Sequence, residues 1–337
     1  MNIWFTKGFN NLFHAISDIK REVPDCKVLC THSNSQFLGF YKSDFSEREP
    51  NFRTKKEFLE FCTRMIEKYD IKVIFPHHKQ EWFNEFVSVF KDLGVTVATV
   101  APLGGVDDIN HKNRFYKKTS QIKGLNVPTF SVFKSYEEFK DLCKSDKFKD
   151  AHLCIKPALG VYGSDFYDLL DTPLSKKKLE EVISRNTTML LMEYLNGVEY
   201  SADCLAYHGK IVGFAVRKKV SQNLPQIVVD NAVINEQVEL LVSKLKLNGM
   251  FNVQFKELNG VPYILEINPR LAGRSYYATI AGFNIPATAV KLFLGLEKPE
   301  NISYEIDYGA KILNVPTGVI VNRESSPFSD YNERESQ

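Results

Sequence analysis

Residues 251–274, FNVQFKELNGVPYILEINPRLAGR, constrain this chain more tightly than any other stretch. They read as two short alternating strands, the second ending in Glu266-Ile267-Asn268-Pro269-Arg270. Side chains two apart on a strand share a face, so Glu266 and Asn268 point the same way. Phe251, Val253 and Phe255 form the apolar face of the first strand, and Tyr263, Leu265 and Ile267 that of the second. Putting both apolar faces on one side of a sheet requires an odd-numbered connection that sets Phe255 opposite Leu265. A two-residue Asn259-Gly260 turn would pair Leu258 with Val261 and turn one apolar set outward. In the favoured register Gln254 lies opposite Glu266 and Asn252 opposite Asn268. Gln254, Glu266 and Asn268 then bring three oxygen-bearing side chains together, with Arg270 and Arg274 just beyond. Hard oxygen ligands beside guanidinium groups suit Mg²⁺ carrying a polyphosphate. The competing reading is an ordinary hairpin with a polar outer face.

With 337 residues, the chain is long enough for two or three packed subdomains. A 44% hydrophobic and 25% charged composition makes it globular, and a net charge of +2 gives no electrostatic case for nucleic acid or an anionic membrane. The six cysteines show no CxxC pair and no zinc spacing; Cys62, Cys143, Cys154 and Cys204 fall in apolar-periodic segments as small buried thiols. No signal-peptide pattern and no 18-residue apolar run occurs. The expectation is a cytoplasmic protein with reduced thiols.

Up to about residue 100, strand-like segments at 3–6, 27–32, 72–75 and 95–100 alternate with helical patterns. One helix carries Phe58, Phe61, Cys62, Met65 and Ile66 after a Thr54-x-x-Glu57 capping box; another carries Phe83, Phe86, Val87 and Phe90. Such alternation predicts a small parallel sheet with helices on both faces. Residues 33–50 read as an irregular loop over one edge. A basic helix is expected from about 109 to 122, a strand at 127–130, and a second capping box at Ser135-x-x-Glu138. A strand at 151–156 and a helix opened by Thr172-Pro173 complete an α+β block over about 106–190. Strands then dominate, at 189–194, 200–207 and 210–220 and in the hairpin above, with helices around Val238–Leu245 and at 285–294. The polar tail, 322–337, is expected to fray.

Several segments could carry chemistry. Lys156 shares a strand face with His152 and Cys154, opposite Leu153 and Ile155, and leads into Pro157-Ala158-Leu159-Gly160-Val161-Tyr162-Gly163-Ser164. Free N–H groups in such a loop can cradle phosphate oxygens, though the pattern is neither a Walker A loop nor GxGxxG, and a plain strand-to-turn junction fits equally. Met192-Glu193-Tyr194-Leu195-Asn196-Gly197-Val198-Glu199 leaves one strand and enters another; its backbone could meet a purine and a carboxylate a ribose, or it could be a plain connection. Lys112 heads the basic helix, which could be only a solvated face. Arg217-Lys218-Lys219 ends a strand and could steer an anion, but it reads better as a charged strand edge that blocks aggregation. His77 and His78, being adjacent, are poorly placed for joint metal binding.

Taken in order, these pieces resemble the ATP-grasp superfamily, especially its carbamoyl-phosphate-synthase-like carboxylate–amine ligases, over roughly residues 107–296. The matching elements are Lys112, Lys156 with its glycine loop, MEYLNGVEYSAD (192–203), NVQF (252–255) and LEINPRLAGR (265–274). The layout from IWFTKGFNN onward is similar to the ATP-grasp proteins of tellurite-resistance (ter) type operons. The resemblance implies an α/β chain: a small doubly wound N-terminal domain (1–105), then a two-subdomain ATP-grasp fold (106–190 and 191–321) and a flexible tail (322–337). It implies that Lys112 and Lys156 contact ATP phosphates under a loop carrying Gly160, Gly163 and Ser164. Glu193, Tyr194 and Leu195 would hold adenine and Glu199 the ribose. Gln254, Glu266 and Asn268 would hold Mg²⁺, or Mn²⁺ in its place, with Arg270, Arg274 and Lys156 at the transferred phosphate. The implied reaction joins a small-molecule carboxylate to an amine with ADP release, in a cytoplasmic homodimer with no nucleic-acid or membrane partner. An idle nucleotide binder and a small-molecule kinase are the alternatives. His111 in place of the aspartate usual before Lys112, and the sparse glycine loop, depart from the pattern.

Overall fold

The computed structural model describes residues 1–101, 105–159, 165–186, 188–220 and 225–314. Its first sheet is parallel, with β1 (Asn2–Thr6), β2 (Lys27–His32), β3 (Phe45–Arg48), β4 (Ile71–Phe75) and β5 (Thr96–Val97) in the order β3-β2-β1-β4-β5. Strand alternation explains why helices cover both faces. Ile3 and Phe5 of β1 meet Leu12, Ile16 and Ile19 of helix Leu12–Glu22, whereas Trp4 joins Phe58, Phe61 and Met65 of helix Lys55–Tyr69 on the other side. Thr54 caps the latter helix as expected, its Oγ1 accepting from the Glu57 N–H at 3.1 Å.

The second sheet is antiparallel: β6 (Phe130–Phe133), β7 (Leu153–Pro157), β8 (Tyr167–Asp168) and β9 (Met189–Glu193), ordered β6-β9-β7-β8. Helices Tyr136–Lys144 and Lys176–Asn186 cover one face, with Ile155 and Leu191 packed among Leu179 and Val182. The opposite face therefore turns Cys154 and Lys156 toward the site. The third sheet holds β10 (Glu199–Tyr207), β11 (Lys210–Lys219), β12 (Gln226–Val229), β13 (Gly249–Leu258), β14 (Val261–Asn268) and β15 (Lys311–Ile312), ordered β14-β13-β10-β11-β12-β15. Leu205 and Met250 of this sheet share a buried core with Ile3 and Phe5 and with helix Ile285–Phe293, so the first sheet is docked against the third.

Four expectations are corrected. Residues 33–50 contain β3, paired in parallel with β2, and a 3₁₀ turn at Leu38–Tyr41; the edge strand FSER is too polar to show an apolar period. The basic helix divides into Gly105–Asn110 and Lys112–Thr119, with His111 extended between them. The helix carrying Phe83 and Phe90 divides at Phe86, and Val87 is exposed. Finally, the hairpin turn is the two-residue one. Asn259 (φ 53°) and Gly260 (φ 79°) take the left-handed conformation and Leu258 lies opposite Val261. A bulge restores the pairing: Phe255 faces Ile264, Leu265 is left over, and Gln254 faces Glu266. The inward residues of β14 are accordingly Ile264 and Ile267, while Tyr263 and Leu265 are only partly buried.

Candidate active site

One cavity of about 1250 Å³ lies where the three sheets meet. The second sheet contributes Lys156, Glu193 and Tyr194, the third Gln254, Glu266 and Asn268, and the N-terminal part Phe9, His77 and Gln80. The bulge at Leu265 is what aligns the third set. With it, Gln254 stands opposite Glu266 and Asn252 opposite Asn268, as the sequence register requires.

Two lysines converge on this wall. Lys112 begins helix Lys112–Thr119, whose first N–H donates to the Ala158 carbonyl at 3.0 Å, and its Nζ is 3.4 Å from Glu266 Oε2. Lys156 on β7 donates from Nζ to the Tyr116 hydroxyl at 2.8 Å. Burial lowers the pKa of both ammonium groups, with Glu266 pulling the other way in each case. Holding two desolvated cations beside one carboxylate costs free energy, and an anion seated between them would offset that cost.

The oxygen set is compatible with a divalent cation. Glu266, Gln254 and Asn268 all line the cavity and offer only hard oxygen donors. Asn268 Nδ2 donates to Glu266 Oε1 at 3.2 Å, and Arg270 donates to Asn268 Oδ1 at 3.3 Å, which links the three side chains in one line. Among the described residues no group of three His, Cys, Asp or Glu side chains could hold a metal. A single carboxylate fits Mg²⁺ only as the protein's share of a metal whose charge is met mostly by phosphates. Asn252 stands apart: it is fully buried, and its Nδ2 donates to Ser201 Oγ, the Ala202 carbonyl and Asp203 Oδ1.

Glu193, Tyr194, Leu195 and Glu199 also line the cavity. The Glu193 and Tyr194 N–H groups are engaged, donating to the Thr129 and His152 carbonyls at 3.0 and 2.7 Å. Leu195 is therefore the residue of that trio whose N–H could meet a purine. The Tyr194 ring lies 4.3 Å from that of His152 and 6.3 Å from that of Phe166, giving an aromatic wall. Glu199 is ion-paired with Lys219. Arg270 lines the cavity with its guanidinium over the Phe9 ring, at 4.3 Å; Arg274, four residues on, is not among the lining residues and lies near Tyr276. Gly160, Gly163 and Ser164 lie outside the described residues.

Arg217 needs a correction. It is not an aggregation-blocking edge charge: β11 lies inside the sheet, Arg217 is only 2% exposed, and its guanidinium is 2.6 Å from Asp203 with further bonds to Ser201 and Gln226. Sequence reading also missed Tyr116, Asn11 and Gln80. Tyr116 sits four residues after Lys112, hence on the same helix face, a signal that was available. Asn11 donates to the Ala272 carbonyl at 2.7 Å and Gln80 donates to the Pro269 carbonyl, both tying the N-terminal part to the Asn268–Gly273 segment. Contacts spanning more than 180 residues leave no local pattern.

An antiparallel sheet bearing a partly buried lysine, facing another that bears an oxygen-donor hairpin, is the ATP-grasp arrangement, and this chain has the ATP-grasp fold. More narrowly, residues 185–315 match the family described as ATP-grasp in the biosynthetic pathway with Ter operon. Carnosine synthase 1 of Gallus gallus is 31% identical over 124 residues, 32% of this chain and 13% of that protein. The C-terminal section of the carbamoyl phosphate synthase large chain of Methanocaldococcus jannaschii is 21% identical, covering 94% of this chain and 53% of its own length. Among solved structures, N5-carboxyaminoimidazole synthetase from Staphylococcus aureus, complexed with ADP, superposes with a TM-score of 0.70 at 15% identity, over 90% of this chain and 79% of that one. The chain thus spans about half the length, or less, of these two curated relatives. Among the described residues no helix is long and apolar enough to cross a membrane.

Proposed function

We propose that this chain is an ATP- and Mg²⁺-dependent ligase that activates a substrate carboxylate as an acyl phosphate and joins it to an amine. The observation that carries the reading is the convergence of Lys112, Lys156 and the Gln254–Glu266 pair on one cavity. A carboxylate oxygen attacks the γ-phosphorus, the bond to the bridging oxygen breaks, and ADP leaves. The amine then attacks the acyl carbon, expels phosphate and gives up a proton to solvent, leaving an amide. Lys112 and Lys156 hold the phosphate oxygens, and Arg270 stabilises charge on the transferring group, a largely electrostatic form of catalysis. Arg274 belongs to the same proposal only if it swings in from beside Tyr276. Mg²⁺ on Glu266, Asn268 and Gln254 supplies further neutralisation of the phosphate charge. Leu195 and the Tyr194 ring hold the adenine, Glu199 the ribose, and Phe9, His77 and Arg270 face the substrates. The boundaries 1–105, 106–190 and 191–321 divide the work: the first supplies substrate contacts, the other two grip the nucleotide. The partners are small-molecule carboxylates and amines, and a cytoplasmic homodimer is the proposed form.

The test is thermal melting with ADP, with and without Mg²⁺, on wild type and Glu266→Ala. Ligand at about a hundred times its Kd stabilises by about 2.7 kcal/mol, and the metal-dependent part of that gain disappears in the variant. No shift in the wild type with any nucleotide sinks the proposal. Product analysis separates the other readings: ADP with a new amide marks the ligase, ADP with a stable phosphate ester a kinase, and neither an idle binder.

A further inference from the structure

The Tyr116 side chain is completely buried between three elements that must agree for a nucleotide to be gripped. It projects from helix Lys112–Thr119, one turn after Lys112. Its hydroxyl accepts from Lys156 Nζ at 2.8 Å and donates to the Leu265 carbonyl at 2.6 Å. Leu265 is the bulged residue that the ladder leaves unpaired, the one whose insertion brings Gln254 opposite Glu266. A bulge frees backbone groups from the ladder, and a freed carbonyl facing the interior needs a donor. Burial pushes the phenol pKa well above its ordinary value, so the hydroxyl keeps the proton it donates.

We propose that Tyr116 is the positioning residue of the phosphate grip, its hydroxyl fixing Lys156 and the Leu265 bulge in one hydrogen-bonded line. The proposal rests on the nucleotide-binding reading above. The line has a direction: the carbonyl orients the hydroxyl, and the hydroxyl lone pair takes one of the three ammonium protons of Lys156. The other two are left to point into the cavity. A lysine stem has four rotatable bonds, and without an anchor the ammonium would relax toward Glu266, whose charge already acts on it. Tyr116 thus keeps Lys156 on the phosphate side and Glu266 on the metal side of the same cleft. It also links β7 to β14, so the second and third sheets present their ligands in register with each other.

The experiment compares Tyr116→Phe with wild type by calorimetric titration of MgADP and of AMP. A grip on the β-phosphate shows as a preference for ADP, so the ratio of the AMP and ADP dissociation constants reports it alone. The phenylalanine keeps the ring and removes only the hydroxyl; the ratio is expected to fall at least fivefold. A merely structural role weakens both nucleotides alike, and an unchanged ratio overturns the proposal. Lys156→Arg is the second variant: it keeps the charge and Tyr116 but replaces the compact ammonium with a planar fork. The ratio should fall there too, and a wild-type ratio in that variant would show that charge without position suffices. Absence of ADP binding by the wild type removes the nucleotide reading itself, whereas wild-type binding with an undiminished Tyr116→Phe ratio removes only the role of Tyr116.

Discussion

Two polar clusters lie on the same face of the third sheet, and they are built on opposite principles. Register places Arg217, Ser201, Gln254 and Glu266 in one row across β11, β10, β13 and β14, with Asp203, Asn252 and Asn268 in the next. Toward β11, charge is closed: Arg217 and Asp203 are nearly inaccessible, and Ser201, Gln226 and Asn252 take up their remaining hydrogen bonds. Toward β14, two partly buried lysines, Lys112 and Lys156, lie beside Glu266 at an open cavity. In the first cluster the two charges meet each other within the protein, although the buried Asn252 Oδ1 has no hydrogen-bond partner; in the second, two ammonium groups share Glu266 beside open space. Burial alone therefore does not mark a functional charge; the balance of the partners around it does.

The sharpest way to break this comparison is to unbalance the closed cluster. Asp203→Ala leaves a guanidinium buried without its counterion, and loss of one partner of such a pair costs about 3–5 kcal/mol. Chemical denaturation should show that loss, and the double variant Asp203→Ala/Arg217→Met should recover much of it. A loss below about 1 kcal/mol would mean that Arg217 finds a carboxylate elsewhere, and the two clusters would no longer differ in kind.

The converse change in the open cluster should have the opposite sign. Burial lowers the Lys156 pKa in the folded chain below its value in the unfolded one. The unfolded state then holds the proton more tightly, so ligand-free stability rises as pH climbs from the folded pKa toward about 10.5, the unperturbed lysine value. Below that window the cost of the buried cation is paid in full. Lys156→Met removes it, and we expect the ligand-free protein to melt about 1–2 °C higher near neutral pH, equivalent to about 1 kcal/mol in a chain of this size. The same variant should lose most of its stabilisation by MgADP. Scanning calorimetry reads both, and a lower ligand-free melting temperature would place Lys156 among the stabilising groups.

Local signals were legible in the sequence, and relational ones were not. Both capping boxes are present: Ser135 Oγ accepts from the Glu138 N–H at 3.1 Å, as Thr54 does from Glu57, because three residues contain the whole interaction. The faces of β7 follow from alternation alone. The edge strand β3 escaped because its serine, glutamate and arginine carry no apolar period, its pairing being set by β2. Arg217 was misread because its burial depends on Asp203, fourteen residues away on a neighbouring strand. For the hairpin, the apolar pattern gave the right pairing at Gln254 and Glu266 but the wrong loop, since pattern fixes which residues must face each other and not where the extra residue is stored.

That storage has the smallest predicted consequence and the most specific one. Gly260 has φ of 79°, and a Cβ there would meet nothing within 4 Å, so the cost of Gly260→Ala is conformational and not steric crowding. About 1 kcal/mol is expected, read as a fall in melting temperature. Between this turn and Glu266 lies the bulge at Leu265, held from outside the hairpin by Tyr116. Register at Glu266 is therefore set by the bulge and its tyrosine, and a strained turn should not propagate to it. The stabilisation by MgADP should accordingly match that of the wild type in size. A variant that loses the Mg²⁺-dependent part along with the turn would show that the turn, and not the bulge, holds Gln254 opposite Glu266.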